Sequence, residues 1–500
     1  MSKLEIWSDS FHEGNWFIDN LIKIHEHKNL SFKKKFLNKF IPYLYLKFEN
    51  SNIELLNYGA FKSWDPVPNK ILDLLSWGKP DIILYDRSSD EILLAIEETA
   101  AIPTGNQALQ RCERLYGCSF NETPFWYLLA EYGLHKDGGI RRDSIFPTIM
   151  SLKLSLQNKT PSFIVHYSDL ENPEGYDFGK GVSSLFEAMY KIIENHASKK
   201  QIFKNLEENI KDHIKDMLRF IDSQYENIID TLPGIHHLGN EELVEDIADI
   251  VLNKRSMSIK EFYVKYNNFL SFPLTLEWFE MGGRAYPSSE LIKFDILCSA
   301  LEGSLDRKKS YIISSNAGSK PQPKERMESW ISSQRKSFNK AAKRNNINAS
   351  FNIDIKNFPK SKSGNYHVTT SKNILYMFDE YRDVREIIEG SYPRLINKIC
   401  LDDERPSIVY ISNSISPGRI FGDPFTGQIA CYASIFGKYD MNKRYVIIYY
   451  PHQSFGQFID SENKIIANKG FKMIREIADL VIFGGGVAIK FNDNGKAFAL

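Results

Sequence analysis

The sequence predicts a mixed α/β fold divided among several domains. Apolar runs of strand length, such as PDIILYD and EILLAIEE, are bounded by Gly, Pro, Asp and Ser. Between such runs lie stretches whose apolar residues recur at three- and four-residue spacing, the period of an amphipathic helix. A chain of 500 residues also exceeds what one ordinary hydrophobic core holds. We therefore expect more than one core, at least two of them α/β.

Composition excludes some classes of protein. Basic and acidic residues both number 63, so any attraction to nucleic acid has to be local. The five cysteines are scattered without a CxxC pair, which argues against a zinc ribbon and against a disulfide scaffold. No apolar run reaches the roughly 18 residues of a membrane span, and the start has no signal-peptide core. These features predict a soluble, cytoplasmic protein with no membrane partner.

The first domain is expected at residues 1–150. PDIILYD and EILLAIEE are joined by the polar turn RSSD, which predicts a β-hairpin. TGNQALQRCERLYG follows with a helix-start residue at Thr104 and a stop at Gly117. PFWYLLAEYG then predicts a further buried strand. The order of elements is strand, strand, helix, strand.

Three further segments follow. Residues 151–300 are expected to be a largely helical connector, because residues 183–232 contain neither Pro nor Gly and carry amphipathic spacing. A basic segment occupies residues 301–365. Residues 366–500 are predicted to form a second α/β domain, with strand-like runs RPSIVYIS, RYVIIYYPH and IADLVIFGGG.

The second α/β domain resembles the first in its order of features. Both have a strand, a Pro and Thr-Gly turn with Gln near the helix start, an aromatic-Gly exit and another strand. This order predicts an internal duplication. The paired glutamates of the first copy would correspond to Ser412, Asn413 and Ser414, so the second copy would have lost its acids.

The predicted hairpin brings acids together at one end. If the turn has five residues, Asp81 lies directly opposite Glu97 in the hairpin. If the turn has four residues, Asp81 lies opposite Ile96, and Glu98 is its diagonal neighbour on the same face. Glu97 is the partner that we favour. Neighbouring carboxylates are ligands for a hard divalent cation, although a solvated, polar hairpin end is the alternative. The strand is apolar through Ile96 and is expected to be buried. An unpaired charge on the glutamates that follow it would therefore be costly without a cation.

This stretch resembles the PD-(D/E)xK nuclease superfamily over about residues 55–132. The resemblance rests on Pro80-Asp81, on Glu97-Glu98-Thr99 about fifteen residues later, and on GNQALQR. It implies a restriction-endonuclease-like mixed sheet flanked by helices. It also implies that Asp81 and Glu97 hold Mg²⁺ or Mn²⁺ with the main-chain carbonyl of Glu98, and that Gln107 lies near the substrate or the metal-bound water.

Thr99 departs from the family pattern, which has a lysine at this position. Lys79 beside the Pro-Asp pair and Arg111 on the helix are available cations, and Glu98 is an available base. Either the site is an active variant, or the domain binds nucleic acid without cutting it.

Positive charge is concentrated between residues 307 and 344, where eleven basic residues face two acidic ones. Such segregation is expected against a phosphate backbone, and a solvated linker with an exposed helix face is the alternative. Besides Lys320, the basic residues are Arg307, Lys308, Lys309, Lys324, Arg326, Arg335, Lys336, Lys340, Lys343 and Arg344.

The sequence thus leads us to expect a metal-dependent DNA endonuclease, with DNA as its partner. Restriction or another antiviral defence role, and a homodimer, are what the resemblance implies. The alternative is a non-catalytic nucleic-acid-binding or assembly protein that keeps the fold.

Overall fold

A computed structural model divides the chain into two compact units, an N-terminal unit (Met1–Leu270) and a C-terminal unit (Ser271–Leu500). The residues that the structure describes are 2–28, 30–37, 41–61, 66–99, 105–130, 132–134, 140–142, 144–167, 180–228, 240–254, 257–267, 269–270, 278–279, 285–287, 310–315, 323–344, 354–357, 360, 363–366, 369–412, 424–439, 443–450, 469–491 and 497–500.

One mixed sheet forms the centre of the N-terminal unit, with strand order β10-β7-β6-β5-β1-β4-β3-β2. Strands β10, β7 and β6 are mutually parallel, β5 is antiparallel to β6 and β1, and β1 is parallel to β4. A separate hairpin joins β8 and β9. The strands are β1 (Ser2–Ser8), β2 (Phe32–Leu37), β3 (Ile41–Lys47), β4 (Asn52–Ala60), β5 (Ile82–Asp86), β6 (Glu91–Thr99), β7 (Phe125–Ala130), β8 (Tyr132–Leu134), β9 (Ile140–Arg142) and β10 (Ser162–Tyr167).

Helices pack against this sheet, and α1 contacts β4 whereas α5, α6 and α7 contact β10. The described helices are α1 (Phe11–His27), α2 (Asn69–Leu75), α3 (Gly105–Gln110), α4 (Cys112–Phe120), α5 (Phe146–Asn158), α6 (Lys180–Ala197), α7 (Glu207–Ile228), α8 (Glu241–Val251) and α9 (Ile259–Lys265). The unit therefore extends well past residue 150, where the sequence suggested a boundary. The reason is that every residue of β10 is buried, so this strand and its helices complete the first core.

The predicted order strand, strand, helix, strand is observed as β5, β6, α3 with α4, and β7. The hairpin turn has four residues, 87–90. With a regular register from this turn, Asp81 would lie opposite Ile96. A β-bulge at Leu93 then shifts the pairing by one residue. Continued past the bulge, the register sets Asp81 opposite Glu97, the pairing that we favoured from sequence.

The C-terminal unit holds a second mixed sheet, with order β11-β13-β14-β15-β16-β17-β18-β19 and β12 beside β14. Its strands are β11 (Trp278–Phe279), β12 (Ala285–Pro287), β13 (Ser310–Ser315), β14 (Thr369–Phe378), β15 (Ser407–Ser412), β16 (Tyr445–Tyr450), β17 (Leu480–Phe483), β18 (Val487–Phe491) and β19 (Ala497–Ala499). Its helices are α10 (Lys324–Arg344), α11 (Tyr381–Ser391), α12 (Pro393–Ile396), α13 (Pro424–Ala433) with a π-helical turn at Ser434–Lys438, and α14 (Lys469–Ile477), and a 3₁₀ turn spans Ile355–Asn357. Val384 and Leu395 of α11 and α12 share one apolar core with Val409 and Ile447 of the sheet.

The two sheets share the arrangement of five strands. In the first, β1, β5, β6, β7 and β10 follow one another in space with antiparallel, antiparallel, parallel and parallel pairings. In the second, β13 to β17 repeat this order and these orientations. The mixed α/β prediction is confirmed. The shared arrangement agrees with a duplication, which stays a prediction, and Asn413 and Ser414 lie outside the described residues.

None of the described helices combines the length and the apolar composition needed to cross a bilayer. The basic segment is described only in part. Its helical portion is α10, whereas Arg307, Lys308 and Lys309 lie outside the described residues.

Candidate functional site

The acids of the hairpin meet where β5 begins and β6 ends. Asp81 directly precedes β5, and its Oδ2 accepts a hydrogen bond from the Glu98 backbone N–H at 2.8 Å. Its main-chain carbonyl accepts from the Asp9 N–H at 2.9 Å, which ties this point to the end of β1. The Asp81 carboxylate is therefore held across the hairpin, and the adjacent Glu97 shares its end of the sheet.

Glu97 is fully buried (0% exposed) on the central strand β6. Its Oε1 accepts a hydrogen bond from Arg111 Nε at 2.6 Å and another from Arg114 Nη1. Its Oε2 is buried and has no hydrogen-bond partner. Burial raises the pKa of Glu97 to about 8 in spite of the Arg114 charge, and the neighbouring Asp81 carboxylate raises it further. Glu97 therefore tends to keep its proton near neutral pH.

Asp81 and Glu98 have raised pKa values as well. Burial is the largest cause for Asp81, and the Arg114 charge opposes it. Burial raises the pKa of Glu98 to about 8, with added repulsion from Asp81 and Glu13. Carboxyl groups that repel one another in a buried place hold protons that a divalent cation can displace.

Glu13 belongs to the same group of acids, although the sequence analysis did not select it. It is the third residue of α1, where its side chain accepts from the Ser10 N–H at 2.7 Å while Ser10 Oγ accepts from the Glu13 N–H at 3.4 Å. Burial raises the pKa of Glu13, and the Asp81 charge contributes. The Ser-Phe-His-Glu sequence is a capping box, but its proximity to Asp81 requires the fold. We call Glu13, Asp81, Glu97 and Glu98 the acid cluster.

Arg114 is the second residue that the sequence analysis missed. Its Nη1 donates to Glu97 Oε1 and lies 3.9 Å from Asp81 Oδ1, so one guanidinium faces two acids. Its backbone packs closely on Gly78, because a Cβ at that glycine would lie 2.9 Å from the Arg114 Cα. The three-residue spacing from Arg111, which puts both on one helical face, was a usable signal.

The other predicted residues take different places. The described ion pair of Lys79 is with Asp9 and not with the acid cluster. The Lys79 side chain is about half exposed, and partial burial lowers its pKa. The side chains of Thr99 and Gln107 lie outside the part of the chain whose side chains are described. Arg111, which is 29% exposed, contacts Glu97 as stated.

The donor set of the acid cluster suits a hard divalent cation. It offers carboxylate oxygens, and Glu97 Oε2 is a buried acceptor without a partner. Within the described residues, however, no three His, Cys, Asp or Glu side chains stand ready to hold a metal ion together. At Glu97, two guanidinium groups already occupy Oε1. Side-chain adjustment around the arginines would thus accompany metal binding.

Arg114→Gln should lower the free energy of unfolding by about 3 kcal/mol at pH 9, because it removes one partner from a buried ion pair. At pH 5 the loss should be smaller, since Glu97, with a pKa of about 8, is then protonated. Urea unfolding of the whole chain at both pH values measures the difference. Arg219→Gln, at an arginine that is 45% exposed, is the control and should change stability by less than about 0.5 kcal/mol. Equal losses for Arg114→Gln at both pH values would contradict the protonated state of Glu97.

Comparisons with protein-family models, with curated proteins and with solved structures gave no match to this chain.

Proposed function

We propose that the chain is a metal-dependent endonuclease that hydrolyses phosphodiester bonds in DNA, with its site at the acid cluster. The observation that carries the proposal is the pairing of Asp81 with Glu97 and Glu98 where β5 begins and β6 ends. The Asp81 carboxylate accepts a hydrogen bond from the Glu98 backbone N–H at 2.8 Å. A helix and a parallel strand follow this hairpin, as in the superfamily that the sequence resembles.

Asp81, Glu97 and Glu98 would hold Mg²⁺ or Mn²⁺. The bound cation would activate a water molecule and stabilise the charge that develops on the scissile phosphate. Arg111 and Arg114 orient Glu97, and they supply positive charge beside the acids where Thr99 supplies none. Lys79, held by Asp9, lies next in sequence to the Pro80-Asp81 pair and is available for a phosphate oxygen.

The protonation of the acids makes this activity pH-dependent. Metal binding requires the ionised carboxylates, and the pKa values of Glu97 and Glu98 are about 8. Their ionised fraction grows as the pH rises to 8, so metal affinity and the cleavage rate should rise with it. A role in restriction or another antiviral defence and a homodimeric assembly are further parts of the proposal that rest on the resemblance alone, and a cytoplasmic location rests on the sequence composition.

Asp81→Asn and Glu97→Gln should each reduce cleavage by at least about 100-fold, the scale of losing one preorganised electrostatic contact. The assay is nicking and linearisation of plasmid and phage DNA by purified protein in Mg²⁺, in Mn²⁺ and in EDTA at pH 8.

Asp73→Asn is the matched control, since Asp73 is an exposed acid of α2 in the same unit, and it should cut like the wild type. If the wild type leaves DNA intact with both metals, or if both cluster variants cut at the wild-type rate, the proposed nuclease activity is wrong.

Helix α10 is proposed as the part that binds the DNA backbone. Met327 and Ile331, one helical turn apart, are buried, so one face of the helix packs on protein. Five basic residues of α10 are exposed, namely Lys324, Arg326, Arg335, Lys336 and Lys343. Lys324 lies 3.8 Å from Glu328 in an exposed pair, which costs little to open. The side chains of Lys340 and Arg344 lie outside the described part.

Replacing Arg335, Lys336 and Lys343 together by Gln should weaken DNA binding by about tenfold or more at 100 mM salt. It should also reduce the slope of log K against log salt by about 0.9 for each phosphate contact removed. Fluorescence anisotropy of a labelled duplex over a salt series measures both. A charge-matched triple variant in the N-terminal unit, at Lys70, Lys159 and Lys260, which are exposed, serves as control. An unchanged slope for the α10 variant would contradict the assignment.

A non-catalytic DNA-binding protein is the second candidate, and the arginine contacts at Glu97 favour it. Two guanidinium groups satisfy Oε1 as they would in a purely structural ion pair. DNA binding without cleavage in either metal would identify this case.

A further inference from the structure

A cleft of about 770 Å³ lies at the opposite end of the β5–β6 hairpin from the acid cluster. Leu56, Leu93 and Ile202 give it apolar lining, and Arg87, Lys199 and Lys200 give it positive charge. The volume falls within the range of small-molecule sites, roughly 300–1,000 Å³. Leu93 is the bulge residue of β6, so the same irregularity that sets the register of the acids contributes to this cleft.

The carboxylates that line the cleft are mostly engaged already. Glu5 is 5% exposed and receives Arg87 Nε at 2.5 Å, Arg87 Nη2 at 3.1 Å and Trp7 Nε1 at 2.9 Å. Asp86 accepts from the Ser88 N–H at 2.8 Å and from Ser88 Oγ at 2.7 Å. A ligand therefore meets little unpaired negative charge from these two acids.

Ser89 Oγ also donates to Asp86 Oδ2 at 3.1 Å, and His196 Nε2 lies 3.4 Å from the same oxygen. His196 belongs to α6, which ends at Ala197, and the two lysines follow after Ser198. The ion pairs described in the cleft involve Lys3, Arg87 and His196 and leave the exposed Lys199 and Lys200 outside them. Lys199 and Lys200 thus add positive charge to the lining of the cleft that the described ion pairs do not balance.

The backbone of the two lysines is fixed. The Lys199 N–H donates to the His196 carbonyl at 3.0 Å, and the Lys200 N–H donates to the Asn195 carbonyl at 2.9 Å. Lys199 has a φ of 55°, the left-handed conformation that ends a helix. The guanidinium of Arg87 is likewise held by its two bonds to Glu5. The Arg87 guanidinium therefore loses little conformational freedom when an anion binds, whereas the backbone of the two lysines fixes only where their side chains start.

We propose that this cleft binds a nucleoside phosphate, with the phosphates on Arg87, Lys199 and Lys200 and the base against Leu56, Leu93 and Ile202. Two ammonium groups, with the Arg87 guanidinium beside them, match the negative charge of phosphate oxygens. The apolar lining matches a planar base, which free phosphate lacks.

The site is separate from the proposed DNA-cleaving site. Five strand residues, Ile82–Asp86, lie between Asp81 and the hairpin turn, a distance of about 16 Å at about 3.3 Å per residue. A ligand in the cleft therefore does not contact the acid cluster, and its binding does not depend on the nuclease proposal.

Isothermal titration of the full chain with ATP, without metal, tests the proposal. We expect one saturable site, bound at least tenfold more weakly by the Lys199→Gln/Lys200→Gln double variant. Lys70→Gln/Lys260→Gln, at exposed lysines outside the cleft, should bind like the wild type. Glu91, an exposed acid in the lining, gives the opposite control, since Glu91→Gln should bind ATP severalfold more tightly.

Two further probes identify the ligand class. Inorganic phosphate should bind at least tenfold more weakly than ATP, and a short single-stranded oligonucleotide should not displace ATP. No saturable ATP binding up to millimolar concentration, equal binding by the lysine double variant, phosphate binding as tight as ATP, or displacement by the oligonucleotide would each overturn the proposal.

Discussion

The site depends on one constraint, the burial of the Glu97 carboxyl group between two arginines and beside Asp81. Water cannot solvate this group, since Glu97 is fully buried, and the protein supplies hydrogen bonds to only one of its two oxygens. The negative charge is therefore expensive, which raises the pKa of Glu97 to about 8. A cation at the remaining oxygen would remove that cost, and so would a proton.

Three features of the N-terminal unit contribute to this constraint. The bulge at Leu93 compensates for a four-residue turn, and so it keeps the two acids opposite each other. Helix α4 brings Arg114 to the acids because Gly78 allows close packing, and α1 adds Glu13 through its capping box. Leu93 and Gly78 therefore act on Glu97 indirectly, through the register and the helix packing, whereas Arg114 contacts it directly and Glu13 acts on the neighbouring Glu98.

Local pattern predicted much of this arrangement, and long-range packing accounts for the remainder. The hairpin and the following helix and strand came from alternation and spacing. Glu97 was preferred over Glu98 because Thr99 then follows two residues later on the same side, and that preference assumed a five-residue turn where the structure has four residues and a bulge. The bulge could not be predicted, because an unpaired residue shifts the register of the two strands without changing the number of residues in the turn. Glu13 was missed because its neighbour Asp81 is distant in sequence, whereas the three-residue spacing of Arg111 and Arg114 was a signal that was not used. The ion pair of Lys79 with Asp9 could not be predicted from the position of Lys79 beside Pro80-Asp81. The strand β10 looked like part of a connector, since a short apolar run carries no sign of its partner.

The most direct test of the account is the number of protons released when Mn²⁺ binds at pH 7. Calorimetric titrations in buffers with different ionisation enthalpies give this number. With pKa values of about 8 for Glu97 and Glu98, the account predicts release of roughly one to two protons per Mn²⁺ in the wild type, and fewer in Glu97→Gln. Binding without proton release in the wild type would contradict it, because Glu97 would then already be ionised and satisfied by its arginines.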